Sequence, residues 1–115
     1  MYHLTGLPKS IKVGPYRYRV EIAETLRSMS DQAWGICDNI QHTITYQNEW
    51  PCIGKAIDTV IHEVLHAIYH VWDVPEQAEE EPIVSHFGTG IAAVLIDNPG
   101  LASWLDAATQ MAREE

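Results

Sequence analysis

The stretch Ile57-Asp-Thr-Val-Ile-His-Glu-Val-Leu-His-Ala-Ile-Tyr-His-Val-Trp72 decides the reading of the chain. Ile57, Val60, Ile61, Val64, Leu65, Ile68, Val71 and Trp72 recur at spacings of three and four. At about 100° per residue that period places them on one face of a helix. The helix is predicted from about Gly54 to Asp73, where Val74-Pro75 ends it.

Outward from this helix the two halves of the chain differ. Upstream, Tyr16-Arg-Tyr-Arg-Val-Glu-Ile22 alternates at period two, with Tyr16, Tyr18, Val20 and Ile22 on one face, which predicts a half-buried strand. A short extended piece at Ile11–Val13 precedes it. Ala33–Cys37 and Thr43–Tyr46 flank Asp38-Asn-Ile-Gln41, whose Asp and Asn suit a turn between antiparallel strands. The mixed segment from Glu24 to Gln32 fits a loop or one or two helical turns equally well. Downstream, a second helix is expected from about Glu79 or Pro82 to Asp97, closed by Asn98-Pro99-Gly100, and a third from Leu101 to about Arg113. Strands first and helices afterwards predict an α+β domain, with a small antiparallel sheet packed against one central helix and two C-terminal helices.

The central helix contains His62-Glu63-Val64-Leu65-His66, an H-E-x-x-H. Residues four apart share a helix face, so both imidazoles can converge on one metal ion at about 2.0–2.1 Å. On the wheel they fall roughly opposite the apolar stripe, beside Asp58 and Thr59. Glu63, one step round, is placed to accept a proton from a water rather than to ligate. The plain alternative is two surface histidines and a glutamate on an ordinary amphipathic helix.

A zinc site of this kind needs a third protein ligand. His70 continues the spacing but sits about 12 Å along the axis from His62, too far for one ion on a straight helix. The remaining candidates are His86 and the acidic run Glu76, Glu79, Glu80 and Glu81, which follows the turn at Val74-Pro75. Glu81 is preferred to Glu80, because Glu80 projects toward the apolar centre of the second helix. Glu81 instead shares a flank with Ser85, Gly88 and Ala92.

The pattern resembles the gluzincin zinc metallopeptidases, in which an H-E-x-x-H is followed by a downstream glutamate. Glu81, Val84, Ser85, Phe87 and Gly88 follow the frame of their second motif. Within that group the chain is most similar to small ImmA/IrrE-type and phage-encoded metallopeptidases. Their strand-turn-strand ahead of the active helix resembles Trp34-Gly-Ile-Cys-Asp38 and His42-Thr-Ile-Thr-Tyr46. The resemblance covers about Ala33 to Asn98. It implies a minimal zincin-like domain, Zn2+ as cofactor, His62, His66 and Glu81 as ligands, and Glu63 as catalytic base in peptide-bond hydrolysis. Ser85 departs from the usual Asp or Asn, and Pro82 directly follows the implied ligand. His86, His42 or Tyr46 is the candidate donor to a developing oxyanion. An extended substrate is expected to add to a sheet edge, placed at Thr43–Gln47. The competing expectation is a zinc-stabilised protein-binding or regulatory module without turnover.

Composition bounds the rest. The 115 residues suit a single domain spanning 1–115, since domains run to roughly 100–200 residues. Sixteen acidic residues against seven basic give a net charge of −9, the wrong sign for nucleic acid or an anionic membrane surface. A protein or peptide substrate is the expected partner, with oligomeric state open. No secretory signal or membrane-spanning stretch is recognisable, and Cys37 and Cys52 lack a C-x-x-C spacing, which together point to reduced thiols in a cytoplasm. Trp34, Trp50, Trp72 and Trp104 are read as packing residues.

Overall fold

A computed structural model describes residues 2–23, 34–74 and 80–115, without the side chains of Glu80 and Glu81. The segment from Glu24 to Gln32, left open by its composition, lies outside these residues, as do Ala33, Glu76 and Glu79. The strands are β1 (Tyr2–His3), β2 (Ser10–Val13), β3 (Tyr16–Ile22), β4 (Gly35–Asp38), β5 (Thr43–Tyr46) and β6 (Glu49–Trp50), followed by helices α1 (Ile53–Val71), α2 (Glu80–Asp97) and α3 (Pro99–Glu114). The domain is α+β, as the order of patterns predicts.

The larger sheet has the order β2-β3-β5-β4, and β1 pairs with β6 in a separate ribbon. β2 and β3 form a hairpin over Gly14, whose φ of +59° suits a residue without a Cβ. β4 and β5 form the expected antiparallel hairpin, with Gly35 opposite Tyr46 and Asp38 opposite Thr43. Asp38 Oδ1 closes that turn by accepting from the Ile40 and Gln41 amides at 2.9 and 3.0 Å. The sheet is nevertheless mixed rather than antiparallel, because β3 and β5 run parallel, Arg19 beside Thr43 and Ile22 beside Tyr46. Alternation along a strand fixes its faces but not its neighbours. Here the chain passes β4 on the outside and returns through β5 between β3 and β4.

Side chains from the sheet and α1 build the core. Ile11, Val13, Tyr18, Ile44, Tyr46 and Trp50 are sealed from solvent, against Ala56, Val60, Ala67 and Ile68 of α1. Of the four β3 residues predicted to share a buried face, only Tyr18 is fully buried, whereas Tyr16 and Ile22 are exposed. The buried face of α1 is also turned from the predicted stripe. It includes Thr59 and Glu63, and it leaves Ile61 43% exposed. The Tyr46 hydroxyl donates to the Val60 carbonyl at 3.0 Å, joining β5 to the middle of the helix. At the far edge, Asn98 bridges β2 and the α2–α3 corner: its Oδ1 accepts from Lys12 N–H, and its Nδ2 donates to the carbonyls of Lys12 and Val94, each at 2.7 Å. No helix among the described residues is long and apolar enough to cross a membrane.

Candidate metal and catalytic site

Three consecutive directions around α1 organise the site. Successive helix residues are rotated by about 100°, so Ile61, His62 and Glu63 address different surroundings. Ile61 faces α2 and α3, His62 is exposed, and Glu63 is turned under β4. One turn later His66 stands over His62. Their Nε2 atoms are 3.1 Å apart, with rings inclined at 75° and centroids 4.8 Å apart.

This pair suits a divalent metal. Two ligands of a tetrahedral zinc with arms of about 2.0–2.1 Å stand about 3.3 Å apart, within a few tenths of the observed separation. Both atoms are imidazole nitrogens, a donor type that zinc accepts readily. Among the described residues no third His, Cys, Asp or Glu completes a cluster around them. The Glu81 backbone lies in the first turn of α2, and its side chain, like that of Glu80, lies outside the described residues. His70 is exposed in the last turn of α1.

Glu63 occupies a different environment from the histidines one step away. It is 6% exposed, and the Cys37 backbone N–H of β4 donates to its carboxylate. Burial pushes its pKa above the ordinary carboxylate value, while His62, His66 and the Cys37 hydrogen bond pull it back down. The close approach of helix and strand depends on Gly35. A Cβ there would lie 2.8 Å from Glu63 Cγ, 3.1 Å from its Oε2 and 3.1 Å from Thr59 Cγ2. Glycine therefore clears the space in which the carboxylate lies.

Between β4 and the N-terminal half of α1 opens a cleft of about 350 Å³, lined by Trp34, Gly35, Lys55, Asp58, Thr59, His62 and Glu63. Trp34, at its mouth, packs on the buried Trp50 with ring centroids 5.1 Å apart. The motif spacing pointed to His62 and Glu63, and Trp34 and Gly35 entered only through the resemblance of the strand ahead of the helix, with no role attached. The seating of β4 against α1 brings those two to the cleft, while Lys55 reaches it from the first turn of α1 itself.

The remaining sequence candidates are distributed elsewhere. Tyr46 spends its hydroxyl on Val60, and burial holds its pKa well above the usual tyrosine value. His42 adopts φ +53° in the β4–β5 turn and packs between Tyr16 and Tyr18, with centroids 4.6 and 5.1 Å away. His86 Nδ1–H donates to the Pro82 carbonyl within α2 at 2.6 Å. The sheet edge placed at Thr43–Gln47 is corrected: β5 is flanked by β3 and β4, so among the described residues the edge beside the site is β4. Cys37 and Cys52 are both free, and burial with the nearby Glu63 and Asp38 charges pushes the Cys37 thiol to about 12.

No protein-family model, curated protein or solved structure matches the chain.

Proposed function

We propose that the chain is a zinc-dependent metallopeptidase in which His62 and His66 hold the metal and Glu63 is the catalytic base. The observation that carries this reading is the convergence of the two Nε2 atoms at 3.1 Å beside a buried carboxylate on the next face of the same helix. Glu81 is proposed as the third ligand, from the resemblance of Glu81-Pro-Ile-Val-Ser-His-Phe-Gly88 to the gluzincin second motif.

A zinc ion in such a site supplies Lewis acidity, polarising a carbonyl and lowering the pKa of water. The work of the chain itself is positioning and proton transfer. Glu63 takes the proton of the attacking water and returns it to the leaving amine. Burial of the carboxylate pushes in the direction that suits this exchange, since a general base works best when its pKa approaches the working pH. The Cys37 N–H fixes the direction of the carboxylate, and the β4 edge offers backbone groups along which an extended peptide can lie. A buried base also favours turnover over a closed structural site, which needs no proton acceptor.

The test compares zinc-loaded parent and Glu63→Gln on a mixture of unstructured peptides, with products resolved by mass spectrometry. The substitution should retain the metal and reduce cleavage at least about a thousandfold. Equal cleavage by the two proteins would remove Glu63 from the chemistry. No cleavage by either, with metal retained in both, would favour a zinc-stabilised binding module. For the third ligand, Glu81→Ala should weaken zinc binding more than Glu80→Ala, and the opposite order would move the ligand to Glu80.

A further inference from the structure

The flank of α1 opposite the cleft ends in an apolar groove of about 200 Å³, walled by Ile61 and Leu65 of α1, Ile91 and Leu95 of α2, and Leu105 of α3. Ile61, Ile91 and Leu95 are 43%, 40% and 39% exposed, so this is an open surface of large aliphatic side chains rather than a core void. Such contiguous exposed patches mark interaction sites. The strip continues along α2 through Gly88 to Val84, which is 54% exposed, and a Cβ on Gly88 would meet nothing within 4 Å. The spacing 84, 88, 91, 95 is that of a helix-packing seam. On the α1 and α2 walls the paired residues are four apart, about 6 Å along the axis, the pitch at which another helix presents its own side chains.

Charge identifies the occupant. No Lys or Arg occurs between Lys55 and Arg113, while residues 56–115 hold eleven of the sixteen acidic residues. The basic residues are gathered instead on the strand half, at Lys9, Lys12, Arg17, Arg19 and Arg27. Asp97 shares its charge with Lys12 at 3.7 Å, whereas Asp106, beside the groove-lining Leu105, has no ion-pair partner among the described residues. A second copy of this chain would bring a further −9 of charge. A positively charged helix instead meets the opposite sign of the chain's net −9.

We propose that this groove docks a cationic amphipathic helix of a partner protein, with aliphatic anchors at i, i+4 and i+7 seated between Ile61, Ile91 and Leu95. The surface stands independently of the metal, because its residues lie on the other flank of α1 from the cleft.

The probe is a fluorescein-labelled helical peptide of about 18 residues with leucines at those spacings and lysines elsewhere. Anisotropy with the full chain should show saturable one-to-one binding. Ile91→Gln/Leu95→Gln should weaken it at least tenfold, and so should scrambling the peptide at fixed composition, while Ile40→Gln, at a residue 92% exposed and remote from the groove, should leave it unchanged. Absence of binding would overturn the proposal. Equal binding by the scrambled peptide or by the double variant would overturn it too, reducing the effect to bulk charge. Sedimentation equilibrium of the protein alone provides the remaining arm: a dimer dispersed by Ile91→Gln/Leu95→Gln would assign the groove to a second copy.

Discussion

Gly35 and Glu63 meet so closely that a single methyl group on the strand would lie 2.8 Å from the Cγ of the glutamate. Strand and helix are thus packed as tightly as a glycine permits at the point where the base sits. Gly35→Ala must push either β4 or Glu63 aside, at a cost of about 1–3 kcal/mol in urea unfolding. Zinc content should persist, because neither histidine is touched, whereas peptide cleavage should fall by about a hundredfold as the carboxylate is displaced. Unchanged stability and turnover would show that the contact does not hold Glu63 in place.

The buried carboxylate also has a signature in metal-free protein. Burial raises the folded pKa of Glu63 above its ordinary 4.5, so the folded state holds that proton more tightly than the unfolded chain does. The stability linked to that proton is complete below the unfolded pKa and is lost as pH rises through the higher folded value. Glu63→Gln is neutral at every pH and can still accept from the Cys37 N–H. In excess chelator the variant should therefore exceed the parent in urea midpoint at pH 7, and the difference should close below about pH 4. A variant less stable than the parent at pH 7 would contradict the burial of an ionisable group there.

Asn98 is the corresponding fixed point at the opposite edge of the sheet. Its amide satisfies both backbone groups of Lys12 and the Val94 carbonyl while being only 6% exposed. Asn98→Ala should cost about 1–3 kcal/mol, the range for leaving buried polar groups unpaired. Hydrogen exchange at the Lys12 amide should accelerate with it.

Two glycines of α2 separate packing from propensity. Gly90 is buried against Ile68, and a Cβ there would overlap the isoleucine Cγ2, so Gly90→Ala should destabilise by about 1–3 kcal/mol. Gly88 faces open space, and Gly88→Ala should instead stabilise by about 0.5–1 kcal/mol through helix propensity. Thermal unfolding of the two variants checks the opposite signs.

The legibility of these features in the sequence follows their range. Tyr16–Ile22, the β4–β5 hairpin and the three helices were readable because alternation, turn residues and helical spacing are local signals. The parallel neighbourhood of β3 and β5 was not, since it depends on where the chain goes between them. The β1–β6 ribbon is too short to carry a pattern. His62, Glu63 and His66 announce themselves by spacing, but the burial of Glu63 requires Gly35, nearly thirty positions earlier, to lie against it. Asn98 read as a helix stop, and its bridge to Lys12 is equally a matter of tertiary placement.

The most direct measurement is zinc per chain by elemental analysis, for the purified protein after reconstitution and for His62→Ala/His66→Ala prepared alongside. About one zinc in the parent and none in the double variant is the expected result. A parent chain that holds no zinc would contradict the metal site and leave His62 and His66 as an exposed pair on an amphipathic helix.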